Sequence, residues 1–196
     1  MDNQQLVTFL KKNLACRPAL EWLQARTLAE VWEQCERGDW LLWLAAKAGV
    51  DRKRLVMAAC ACARLSLVHV PSGEERPRIA IETAESWCRG EANIEQVREA
   101  RRNAAAYAAY ADAADAADAA DAAADAADAA AYAAADTAAA AAYAAYAAYA
   151  ADAAYDAYDA YDADAARART LKEAADLVRG LISCAEVEAA INGRAI

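Results

Sequence analysis

Residues 92–179 contain neither glycine nor proline, so the chain runs for 88 residues without a helix breaker. Most of that run is alanine, the best helix former, which predicts helix almost regardless of tertiary contacts. A single straight rod of that length would span roughly 130 Å at a rise of 1.5 Å per residue. The run ends in ordinary large apolar residues (Leu171, Leu177, Val178, Leu181) that need a core. A helical hairpin that leaves a globule and returns to it meets this need, and Asp136-Thr137, two good N-cap residues where the aspartate pattern pauses, is the expected turn.

Charge divides the chain in the same way. Residues 1–102 carry 16 Lys/Arg and 14 Asp/Glu, residues 103–166 carry 12 Asp and no basic residue, and residues 167–196 carry 5 basic and 4 acidic residues. The net values, +2, −12 and +1, sum to the −9 of the whole chain. Three regions are therefore expected: a helical globule (1–102), an acidic alanine-rich helical segment (103–166), and C-terminal helices packing on the globule (167–196). The fold class read from this is all-α.

Within the acidic segment, Asp112, Asp115, Asp118 and Asp121 recur every three residues, and Asp125 and Asp128 follow one four-residue step later. Each three-residue step rotates the side chain by about −60° on an α-helix, and the step of four corrects the drift. Asp115 to Asp136 then fall within a sector of about 140°, with Tyr107, Tyr110 and Tyr132 in it or at its edge. The opposite face is nearly pure alanine and permits close helix–helix approach. From Tyr143 to Tyr161 the tyrosines keep multiples of three without correction, so that stripe winds around the helix. Like charges at this spacing cost roughly 0.2–0.5 kcal/mol per pair. The stripe should attract a cationic surface, either internal (Arg52, Lys53, Arg54, Arg76, Arg78, Arg98, Arg101, Arg102) or on a partner. A solvated face, or an expanded DNA repeat that the helix tolerates, are the plain alternatives.

The first half reads as short helices. Leu6, Phe9, Leu10 and Leu14 form a stripe over 4–15, and Pro18 sits where a second helix starts. Thr27 and Glu30 form a capping box. Gly38-Asp39 is read as a break with Asp39 recapping the next helix, which Gly49 ends. Asp51 caps a helix expected to run through Val70, residues 71–73 form a loop, and a helix from about Pro77 closes at Gly90. Ser183 and Glu186 form a second capping box before a terminal helix. No period-two alternation is long enough for a strand.

The search for chemistry is nearly empty. No G-x-S-x-G, Walker A, G-x-G-x-x-G or H-E-x-x-H pattern occurs, and His69, the single histidine, is read as a cap or a packed residue. The six cysteines include no C-x-x-C pair and are read as reduced thiols packed as small apolar residues; Cys60 and Cys62, two apart on a helix, should point in different directions. The expectation is no enzyme, no metal and no cofactor. The aspartates exclude a bilayer span, at roughly 2.5–3.5 kcal/mol each at mid-membrane depth, and no signal peptide is evident, so a cytoplasmic protein is expected. The charge of the acidic segment opposes direct nucleic-acid binding.

The segments CERGDWLLWLAAKAGV (35–50), AACACARL (58–65), PSGEERPRIAIETAESWCRGEA (71–92) and AADLVRGLISCAEVEAAINGR (174–194) resemble a group of helical phage and bacterial proteins, some of them labelled immunity proteins. The resemblance implies a binding or inhibitory role against a toxin or a defence complex and brings no catalytic residues with it. The expected function is a non-catalytic inhibitor, immunity-like or acting against a defence system. Its surface would be Asp112, Asp115, Asp118, Asp121, Asp125, Asp128, Tyr107, Tyr110 and Tyr132, docking a basic partner such as a toxin, nuclease or DNA-binding defence complex. The alternatives are a duplex-DNA mimic and a structural protein that self-associates through its alanine faces.

Overall fold

A computed structural model of the chain describes residues 1–109 and 160–193. The order is α1 (Asn3–Lys12), α2 (Arg17–Leu23), α3 (Leu28–Gln34), α4 (Gly38–Ala48), α5 (Arg52–Arg64), a 3-10 turn (Leu65–His69), α6 (Arg76–Arg89), α7 (Ile94–Ala108), α8 (Ala160–Leu181) and α9 (Cys184–Gly193). The described residues are all-helical and include no strand. The acidic stripe, the winding tyrosine stripe and the expected turn at Asp136-Thr137 lie outside the described residues, apart from Tyr107 and the start of α8.

Local signals set most helix boundaries. Thr27 and Glu30 form the reciprocal cap of α3, and Ser183 and Glu186 form the same box at α9. Two further boxes, Asp2 with Gln5 and Asn93 with Gln96, start α1 and α7. Gly49 and Gly90 end α4 and α6 in left-handed backbone. Each of the N-terminal caps contributes about 1 kcal/mol.

Three boundaries depart from the sequence reading. Gly38 is no break: it is the first residue of α4, and Arg37, not Asp39, occupies the cap position. A Cβ added at Gly38 would lie 2.6 Å from the Ala174 Cβ, so this glycine lets α4 and α8 approach closely. The Asp39 carboxylate turns to Arg37 instead, accepting from Nε at 2.8 Å and Nη2 at 2.6 Å. The helix expected to reach Val70 stops at Arg64, and the chain tightens to a 3-10 turn. The buried Ser66 hydroxyl donates to the Ala63 carbonyl at 2.8 Å, in competition with the helical ladder, and Val70 is extended before Pro71. Finally, α1 ends at Lys12 rather than near Ala15. Leu14 N–H donates to the Lys11 carbonyl and Ala15 N–H to the Leu10 carbonyl, a Schellman pattern with leucine at φ 61° where glycine is usual.

The core joins the first half of the chain to α8 and α9. Leu6, Leu23, Leu28, Leu41, Leu42, Val56, Ile81 and Val97 are fully buried together with Val178, Ile182 and Val187. α8 lies on α4 and α5, α6 pairs with α5 and α7, and α9 lies on α3 and α4. Ala174 and Ala175 of α8 are wholly buried in this core. Cys60 donates its S–H to the Ile81 carbonyl on α6 and Cys62 to the Ala174 carbonyl on α8, so the two thiols do point to different helices. Arg179 closes the contact between α8 and α3, donating from Nε to the Trp32 carbonyl at 2.6 Å and from Nη2 to the Cys35 carbonyl. Arg54 reaches across to Glu186 at 3.0 Å and ties α5 to α9.

Candidate functional site

Of the residues expected to bind a partner, Tyr107 is described; Tyr110, Asp112, Asp115, Asp118, Asp121, Asp125, Asp128 and Tyr132 lie outside the described residues. Tyr107 sits in the last turn of α7, half-buried, with the Arg76 guanidinium 4.8 Å from its ring centroid. Arg76 in turn donates to the Glu74 carboxylate at 2.7 and 2.5 Å. This partner holds the Glu74 carboxyl below the usual carboxylate range and Arg76 above its ordinary value.

Four of the eight cations considered as internal partners of the acidic stripe are engaged by glutamates. Arg54 pairs with Glu186, Arg76 with Glu74, Arg78 with Glu75 and Glu82, and Arg98 with Glu95. Arg52 and Lys53 lie over the Trp87 ring, at 4.8 and 5.8 Å from its centroid. Exposed pairs of this kind contribute little to stability, but each brings a carboxylate next to a cation that the stripe would otherwise meet bare.

Nucleophile chemistry is suppressed where the thiols are buried. Burial pushes the Cys62 thiol up to about 12, the half-buried Cys88 to about 11, and Cys60 well above its ordinary value. Cys16 is exposed, unlike the packed thiols expected from the sequence. His69 ends the 3-10 turn and is half-buried. Among the described residues no group of three His, Cys, Asp or Glu is placed to hold a metal ion, and no helix is long and apolar enough to cross a membrane.

A feature the sequence did not announce lies between the first four helices. A cavity of about 360 Å³ opens there, walled mainly by apolar groups including Leu10, Ala19, Trp22, Trp40, Trp43 and Leu44. Trp22 and Trp40 meet edge to face at 6.4 Å. Each of the three indoles has a cation near its ring: Arg26 at 4.4 Å from Trp22, Arg37 at 4.7 Å from Trp40 and Lys47 at 6.0 Å from Trp43. The polar part of the wall is the Arg37–Asp39 pair, in which the carboxylate is 11% exposed. A readable signal existed in the helical spacing of Trp43 to Lys47 and Arg37 to Trp40, which puts each cation beside its ring, whereas Arg26 lies beyond the end of α2 and reaches Trp22 through the turn.

No family model, curated protein or solved structure matches the chain.

Proposed function

We propose that the protein is a non-catalytic binding protein, immunity-like or directed against a defence complex, whose acidic helical segment docks a basic protein partner. The observation that carries this reading is charge: twelve aspartates and no lysine or arginine between residues 103 and 166. A surface of one sign speeds encounter with an oppositely charged face and selects against like-charged ones. Tyrosines beside the aspartates supply contact area at low entropic cost. The local pairing of Arg54, Arg76, Arg78 and Arg98 with glutamates favours an external cationic surface over an internal one.

The test replaces Asp115, Asp118, Asp121, Asp125 and Asp128 together by asparagine, which keeps size and has similar helix propensity. Affinity for a basic partner isolated by salt-sensitive capture should fall, and its dependence on salt should flatten. Unchanged affinity would refute the mechanism. A rise in thermal stability without a binding change would mark a solvated face relieved of repulsion. A fall in stability, greatest at low salt, would mark pairing with internal arginines. Competition by duplex DNA for the same partner would assign the docking to DNA mimicry.

A further inference from the structure

The cavity among α1–α4 is walled by residues between Leu10 and Leu44, a part of the chain separate in sequence from the acidic segment. Its walls are set by backbone that is costly to hold. Both ends of α2 are flanked by non-glycine residues with positive φ, Leu14 at 61° and Gln24 at 46°. Each such residue costs of order 1–3 kcal/mol and persists only where its surroundings over-determine it. The Asn3 side-chain amide supplies part of that restraint, donating to the Gln24 and Arg26 carbonyls at 2.9 Å each. α2 is thereby pinned at its C-terminal end and cannot simply settle onto α4 to fill the space. Leu14, which lines the opening, is 89% exposed, an apolar residue left in water beside an apolar wall.

Size and polarity define what fits. A cavity of about 150 Å³ lined by apolar side chains takes a benzene ring, so 360 Å³ suits a molecule of about two or three rings. The charged wall groups satisfy each other: Asp39 accepts both donors of the Arg37 fork, and the Arg37 carbonyl accepts the Cys35 thiol at 3.7 Å. The two charged residues of the wall, Arg37 and Asp39, are paired with each other, so a charged ligand would have to compete with that pair and would lose its hydration. We propose that this cavity is a binding site for a small, uncharged aromatic molecule, seated against Trp22, Trp40 and Trp43.

The probe is N-phenyl-1-naphthylamine, an uncharged three-ring compound whose emission rises in apolar surroundings. Its sulfonated counterpart, 8-anilinonaphthalene-1-sulfonate, carries the same ring frame with one negative charge. The expected result with the full chain is saturable binding of one uncharged probe per chain, at least about ten-fold tighter than the sulfonate, with energy transfer from tryptophan. Ala19→Leu and Ala19→Trp both push side-chain volume into the cavity from α2; each should weaken binding at least about ten-fold while helix content by circular dichroism stays at the parent level. Should Ala19→Trp fail to fold, Ala19→Leu and the preference of the parent between the two probes still decide the matter. Absent saturable binding, equal or tighter binding of the sulfonate, or binding untouched by a folded filling variant would each overturn the proposal. So would a parent that binds no probe but loses a protein partner when Ala19 is enlarged, which would assign the cavity to a partner's side chain.

Discussion

Gly38→Ala tests the packing of α8 on the globule at its tightest point. The added Cβ would stand 2.6 Å from the Ala174 Cβ, 2.7 Å from the Ala174 carbonyl carbon and 2.8 Å from the Ala175 nitrogen. Two of those three neighbours are backbone, so no side-chain rotation relieves the contact; the helices must move apart. Overpacking of this kind costs about 1–3 kcal/mol. Against it stands the gain from replacing glycine by alanine in a helix, at most about 1 kcal/mol and less here because Gly38 is the first residue of α4. The net expectation is a loss of about 1–2 kcal/mol, read as a fall in Tm of about 2–8 °C for a chain of this size. Gly180→Ala is the control. It lies in α8 with nothing within 4 Å of the added atom, so it should gain up to about 1 kcal/mol. Adding Ala174→Gly to Gly38→Ala removes one of the three clashes and leaves both backbone ones, so the double-mutant cycle should show favourable coupling without full rescue. Thermal and urea unfolding of the four variants and the parent give all the numbers. A Gly38→Ala protein as stable as the parent, or strict additivity in the cycle, would refute the close approach.

Arg179→Met should destabilise by about 1–3 kcal/mol, because the Trp32 and Cys35 carbonyls at the end of α3 lose their donor; Arg179→Lys should recover only part, since one ammonium replaces a fork reaching both. The capping carboxyls Glu30 and Glu186 are held below the usual range, first by the backbone N–H of Thr27 and of Ser183. A depressed pKa contributes stability that is present above the ordinary value of 4.5 and lost as pH falls through the folded value, so acid unfolding below about pH 4.5 should be less steep in Glu30→Gln and Glu186→Gln than in the parent. In a thiol titration of the native protein, the exposed Cys16 should react first, while Cys60 and Cys62 should react only at the rate of opening; a Cys16→Ser variant that keeps the fast phase would refute this.

Signals that act within one turn of helix were legible in the chain. The capping boxes at Thr27 and Ser183, the left-handed glycines 49 and 90 and the loop after Val70 need only their near neighbours to be read. What escaped depends either on a group far along the chain or on a local choice between competing partners. Gly38 looks like a breaker until Ala174 stands against it, and Asp39 looks like a cap until Arg37 takes its carboxylate. Leu14 in left-handed backbone contradicts its own residue preference and could not be read from pattern. The candidate site shows the same division. The periodicity of the aspartates is a sequence fact, whereas the cavity is a property of four helices meeting, and tryptophans at helical spacing read first as core.

Alanine connects these findings. The sequence suggests that a face of methyl groups permits close helix–helix approach, and the contact of α8 with α4 and α5 is an instance within one chain. Ala174 and Ala175 are wholly buried, Gly38 meets the first, and Cys62 donates to its carbonyl. The methyl face of α8 at this level is therefore used inside the molecule and is closed to a second copy. Self-association would have to use alanines elsewhere, so enlarging Ala174 and neutralising the aspartates probe different things. Ala174→Leu should unfold the contact between α8 and the globule without touching charge. The aspartate-to-asparagine variant should alter charge without touching that contact, and only the second should change the salt dependence of partner binding.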